Sequence, residues 1–169
     1  MKKHRRGCTK RIVLLVMTFL TMLLIGCNRK GVEGDAYLTY IKEKFTIVKE
    51  EDTHGGFHGD GMYFLELDCS DEKENALELV SGWKKVPFSQ NIEIMLYGGD
   101  SDRVVYKSEI AAEAKIPRIE NGYYYFCDRH SESTASSDDM NLFSRASYNF
   151  TIVIYDADNH RMYYLKYDT

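Results

Sequence analysis

The sequence predicts an α+β domain with a mostly antiparallel meander sheet, packed against one long N-terminal helix and one short helix. Three observations lead there. A stretch beginning near residue 35 repeats apolar side chains at helical spacing. Six or seven later stretches alternate, or run apolar, at strand length. Clusters of Gly, Asp, Asn and Ser separate many of them closely enough for hairpins.

Asp35 is placed as an N-cap, and Tyr37, Ile41 and Phe45 recur at i, i+4 and i+8 beside Leu38. That pattern predicts a helix over residues 35–45 with one apolar face. Residues 45–49 form a short β-branched run. Four glycines among residues 52–61 forbid regular structure and predict a loop. Next, Tyr63, Leu65, Leu67 and Cys69 alternate with Glu66 and Asp68, the pattern of a half-buried strand. Asp71 and Glu74 stand in a D-x-x-E capping arrangement, so residues 70–80 are predicted helical, with Gly82 as the stop.

Residues 83–90, with Pro87, are an extended connector. Ile92, Ile94 and Leu96 alternate with Glu93, Met95 and Tyr97, and a strand is expected there. Its hairpin partner is expected at 103–107, after a turn holding Asp100 and Asp102. Residues 108–115 form a short helical turn before Pro117. Gly122 opens an aromatic strand through Cys127, expected to be central because its rings fall on both faces. Residues 131–141 are a polar loop. The last two strands, 148–155 and 162–167, enclose a turn at 156–160.

The first 26 residues are read as an address rather than as part of this domain. Six of the 22 basic residues lie there and none of the 26 acidic ones, so the remainder has a formal charge of -10. The apolar run 12–25 follows the basic cluster. Its 14 residues are fewer than the roughly 18–20 that span a bilayer as a helix, and suit the core of a secretory signal. Leu24-Ile25-Gly26-Cys27 closes the run and resembles the lipobox of bacterial lipoproteins. The resemblance implies cleavage after Gly26 and acylation of Cys27. It also implies residence on the outer face of the cytoplasmic membrane through a diacylglyceryl anchor. Two acyl chains hold stably where one holds marginally. Residues 27–34 would then be a lipidated Cys and tether, and 35–169 a single domain.

Asn121-Gly122-Tyr123-Tyr124-Tyr125-Phe126, Asp128-Arg129-His130, Ser147-Tyr148-Asn149-Phe150-Thr151 and the final Tyr167-Asp168-Thr169 resemble small uncharacterised lipoproteins of gut-type Gram-positive bacteria. That resemblance carries no activity.

Several constellations could carry chemistry. Asp52, His54, His58 and Asp60 place two imidazoles and two carboxylates in one loop, donor types that hold Zn²⁺. The favoured alternative is a solvated hairpin loop, and no cofactor is expected. Asp128, Arg129, His130 and Glu132 could serve acid–base chemistry, but no nucleophile motif accompanies them. A structural ion pair for Arg129 is the preferred reading. Asp156-Ala157-Asp158-Asn159 starts like a calcium loop, yet lacks the Gly at position 6 and the acid at position 12, so a turn is expected. Cys69 and Cys127 could form a disulfide outside the cytoplasm, although two separate buried thiols are favoured. All 13 Tyr follow Cys27, and Tyr124, Tyr163, Tyr164 and Tyr167 are candidates for a ligand platform.

With 13% aromatics the chain is no disordered acidic tail. Its acidic balance excludes nucleic acid as a partner, and no phosphate, dinucleotide or haem motif occurs. The leading expectation is a non-catalytic, anchored binding module for a protein, peptide or glycan. One alternative is a small extracytoplasmic enzyme, with or without a metal, using the His54/His58 loop or His130. Another is an envelope-assembly component or an inhibitor of a secreted enzyme.

Overall fold

Alternating residues of four long strands bury side chains on both faces of a sheet. The computed structural model describes residues 34–55, 59–101 and 104–169. Residues 1–33, where a signal segment, Gly26, Cys27 and a tether are expected, lie outside the described residues, as does His58.

Helix α1 (Asp35–Lys44) has Asp35 in its first turn and Lys42 and Lys44 in its last, which complements its dipole. Two strands follow, β1 (Thr46–Asp52) and β2 (Gly61–Asp68). A 3₁₀ turn, Ser70–Glu72, leads into α2 (Lys73–Val80). Then come β3 (Lys84–Lys85), α3 (Gln90–Tyr97), the small hairpin β4 (Gly99–Ser101) and β5 (Val104–Tyr106), and α4 (Ile110–Ala114). Strands β6 (Gly122–Asp128), β7 (Asn149–Asp156) and β8 (Arg161–Asp168) close the chain. Leu38–Thr169 form one compact unit. Among the described residues, no helix is long and apolar enough to cross a membrane.

The fold is α+β, with a six-stranded antiparallel sheet in the order β1-β2-β8-β7-β6-β3. The meander holds for β1–β2 and for β6–β7–β8. It is broken where β2 lies against the last strand rather than against its successor. Burial explains the insertion. Met162, Tyr163, Tyr164 and Leu165 are all buried, so β8 needs a neighbour on each side. Strand β1 is exposed at six of its seven positions and forms an edge.

One expected strand is a helix. Ile92, Ile94 and Leu96 alternate, but Met95 and Tyr97 between them are apolar too, so the two-residue period did not discriminate. Ser89 settles the local conformation: its Oγ accepts the Ile92 N–H at 3.3 Å and caps α3. Ile92, Met95 and Leu96, at i, i+3 and i+4, then fall together in the main core. The predicted hairpin partner of this segment pairs instead with residues 99–101.

The register sorts the sheet into two buried layers. Phe64, Leu165, Ile152 and Phe126 form one row across β2, β8, β7 and β6, in the main core with α3 and α4. Leu65, Tyr164, Val153 and Tyr125 form the opposite row. Strand β2 is therefore not apolar on one face alone, since Met62 and Phe64 are buried opposite Leu65 and Leu67. Glu66 and Asp68 end that strand against Arg161, at 3.9 and 3.3 Å. On the second face, Ile41 and Phe45 are buried as expected and Leu38 is half-buried. Lys42 contacts Glu50 and lies over the Tyr63 ring, fixing this end of α1 to the β1–β2 hairpin.

Gly122 is required by a close approach. A Cβ built there would sit 2.1 Å from the Tyr155 carbonyl oxygen. Its own carbonyl accepts the Val86 N–H, which brings the β3 connector to β6.

Candidate functional site

The end of β8 divides two environments. Pairing puts Tyr167 opposite Phe150 on the main-core face, whereas Asp168 is opposite Asn149 on the other. An aromatic cleft lies on the first side and a charged clasp on the second.

The clasp joins three of the sequence candidates. His54 Nδ1 lies 2.6 Å from Asp52 Oδ1, and that same oxygen accepts the His54 backbone N–H at 3.0 Å. His54 Nε2 lies 3.1 Å from Asp168 Oδ2. Arg129 donates to Asp168 Oδ1 at 2.8 Å, and Asn149 donates to it at 3.0 Å. Arg129 also reaches Thr151 Oγ1 and the carbonyls of Phe150 and Tyr167. Its role is thus the structural ion pair expected for it. The sequence contained no signal for Asp168 as the hub of this group.

The electrostatics follow from these contacts. The backbone and ring hydrogen bonds of His54 hold the Asp52 carboxyl below its ordinary range. Burial alone would raise Asp168, but hydrogen bonds from Asn149 and Arg129 outweigh it, and its carboxyl is also lowered. Both ring nitrogens of His54 face carboxylate oxygens. A neutral imidazole can donate to only one of them, and the doubly protonated ring donates to both. The close approach needs Gly61, where a Cβ would meet the His54 Cα at 2.5 Å and φ is +156°.

Asp60 does not enter the clasp through any hydrogen bond of its carboxylate. Its carbonyl accepts the Gly55 N–H, closing the loop, and its charge acts on Tyr167. Among the described residues, no three His, Cys, Asp or Glu side chains are grouped as metal ligands.

His130 makes a second contact, with a serine hydroxyl, whose hydrogen bonding differs from that of a nucleophile and its base. Its Nε2 lies 3.0 Å from Ser147 Oγ. Its Nδ1, however, accepts the Glu132 backbone N–H at 3.1 Å. A backbone amide only donates, so in the neutral ring the proton sits on Nε2 and points at the serine. A general base for Ser147 would need a lone pair there. Asp128 accepts the His130 backbone N–H at 3.2 Å rather than meeting its ring, and pairs with Arg145 NH2 at 3.0 Å, both side chains 5% exposed.

Cys69 and Cys127 are buried thiols with no disulfide between them. Register explains why. Cys127 is level with Thr151, Lys166 and Tyr63, at one end of the sheet. Cys69 follows Asp68 at the other end, about 20 Å further along β2 at ~3.3 Å per residue. A bridge needs Cα atoms within roughly 7 Å. Burial, then the Asp68 charge, pushes the Cys69 thiol up to about 12. Asp156 accepts the N–H groups of Asp158 and Asn159 at 2.9 and 3.2 Å, as a turn residue does.

The cleft has a volume of about 340 Å³. Its floor is apolar, from Ile94 and Met95 of α3 and Ile110 of α4. Tyr106, Phe143, Tyr148 and Tyr167 line it with aromatic rings. Tyr106 and Phe143 are 4.4 Å apart at their centroids, and Phe143 meets Tyr148 edge-on at 6.4 Å. Lys107, Ser108, Glu109 and Glu113 complete the lining. Thr169 fixes one side, because it exchanges hydrogen bonds with the Tyr148 backbone. Burial, followed by the charges of Glu113, Tyr148 and Asp60, raises the Tyr167 hydroxyl above its ordinary range.

Of the four tyrosines singled out from sequence, only Tyr167 lines the cleft; Tyr124, Tyr163 and Tyr164 are buried. Tyr106, Phe143, Tyr148, Glu109 and Glu113 were not anticipated. They come from irregular segments, short elements and loop ends, where no periodicity marks a shared surface. Comparison with known proteins returns no match among family models, curated proteins or solved structures.

Proposed function

We propose that this chain is a non-catalytic binding module, anchored by a lipid on Cys27 to the outer face of the cytoplasmic membrane, with its ligand in the cleft beneath Tyr167. The observation that carries the binding reading is the open, aromatic-lined cleft of about 340 Å³ with charged groups at its mouth. Ligand sites combine apolar and aromatic walls with polar groups that fix orientation, and both kinds line this cleft. Supporting the non-catalytic reading, the rings of His54 and His130 are committed to Asp52, Asp168, Ser147 and a backbone amide. The location rests on Leu24-Ile25-Gly26-Cys27.

The test is co-purification of the native chain from its own envelope in detergent, beside Tyr148→Ala. A small molecule or partner retained by the native chain and lost from the variant supports the reading. Identical retention by both would remove the cleft from it. A Cys27→Ser chain should leave the membrane fraction or stay unprocessed, and unchanged detergent partitioning would sink the anchor.

A further inference from the structure

We propose that the cleft recognises a small organic cation carrying a trimethylammonium group. This deepens the binding reading above and rests on it.

The chemistry of the lining selects the ligand's charge. Tyr106, Phe143, Tyr148 and Tyr167 line the cleft with aromatic side chains, and the electron-rich face of such a ring attracts a weakly hydrated cation. Glu109 and Glu113 line the same space, both exposed, and neither is in an ion pair among the described residues. Lys107 is also in the lining and offsets only part of that charge. An anionic ligand would meet the carboxylates, and a neutral one would leave them unused.

Size and hydrogen bonding narrow the class. A volume of about 340 Å³ lies at the small end of the ~300–1,000 Å³ range of ligand clefts, enough for a choline-sized ion. A primary ammonium must satisfy three N–H donors when it leaves water. A trimethylammonium has none, so ring faces and diffuse negative charge suffice.

The experiment is calorimetric titration of the full chain, in a maltoside detergent, with choline and with its uncharged isostere, in which tert-butyl replaces trimethylammonium. Choline is expected to bind about tenfold or more tightly than the isostere, the scale of a desolvated cation–π contact. Phe143→Leu and Glu113→Gln are each expected to weaken choline severalfold and to leave the isostere little changed. Glu113 is exposed, so its variant tests the proposal even if Phe143→Leu fails to fold. Competition by phosphatidylcholine nanodiscs would assign the cation to a lipid headgroup, and no competition would assign it to a free solute. Equal affinity for choline and isostere, or no choline heat at about 10 mM, overturns the proposal. If Tyr148-dependent co-purification survives that result, the binding reading stands without the cation.

Discussion

His54 Nε2 lies 3.1 Å from Asp168 Oδ2, although 114 residues separate them in sequence. That contact ties the loop after β1 to the final strand. Asp168 is in turn held by Arg129 and Asn149, from β6's end and the start of β7. One carboxylate thus fastens four strands at one end of the sheet.

Replacing that carboxylate with Asp168→Asn is expected to cost about 1.5–3 kcal/mol, the scale of hydrogen bonds to a charged group. The pH dependence has a definite sign. Asp168 is lowered in the folded chain, so its contribution is present above the unfolded value, about 3.9, and fades as pH falls through the folded one. Denaturant midpoints of the two chains should therefore differ at neutral pH and begin to converge only once the pH falls below about 4. A gap that persists undiminished to pH 2 would contradict this.

The pair Asp128–Arg145 is nearly buried, and none of the Arg145 nitrogens makes an aligned hydrogen bond. Removing one partner strands the other charge. Arg145→Met should destabilise by about 3–5 kcal/mol, and adding Asp128→Leu should recover much of that loss. Urea unfolding of both variants measures it; a double variant worse than the single one would reject the argument.

The Cys69 thiol, pushed up to about 12 by burial, is almost wholly protonated at pH 8. Mass-spectrometric mapping after brief alkylation at that pH should find Cys69 unmodified in the folded chain and modified in denaturant. Rapid native labelling of Cys69 would show the site to be open.

Gly122→Ala is expected to cost about 2 kcal/mol or more, since the new methyl would press on the Tyr155 carbonyl and part β6 from β7. Thermal unfolding checks this. A Tm within about 1 °C of the native chain would mean that the strands shift aside at no cost.

Much of the fold was legible because several segments carry one clear period. Residues 63–69 alternate in part, the two strands around Asp156 are apolar runs of strand length on either side of a polar turn, and Ile41 and Phe45 repeat as a helix does. Residues 92–97 were misread because both parities are apolar. The deciding signal was the Ser89 cap, which works through one hydrogen bond rather than a period. The site was less legible still. The proximity of Asp52 to His54 is local in sequence, whereas Arg129 finds its partners 21 to 39 residues away. Asp168 and the cleft residues meet only after distant segments pair.

The amino-acid sequence by itself determined the α+β class, the terminal hairpins and the turn residues, because propensity and side-chain period act over a few neighbours. Only the tertiary structure decided that β8 lies between β2 and β7 and that residues 90–97 cover the main core as a helix. It also decided that Tyr106, Phe143, Tyr148 and Tyr167 share one cleft. Those outcomes depend on which buried faces find each other, and the burial of one segment is set by the whole chain.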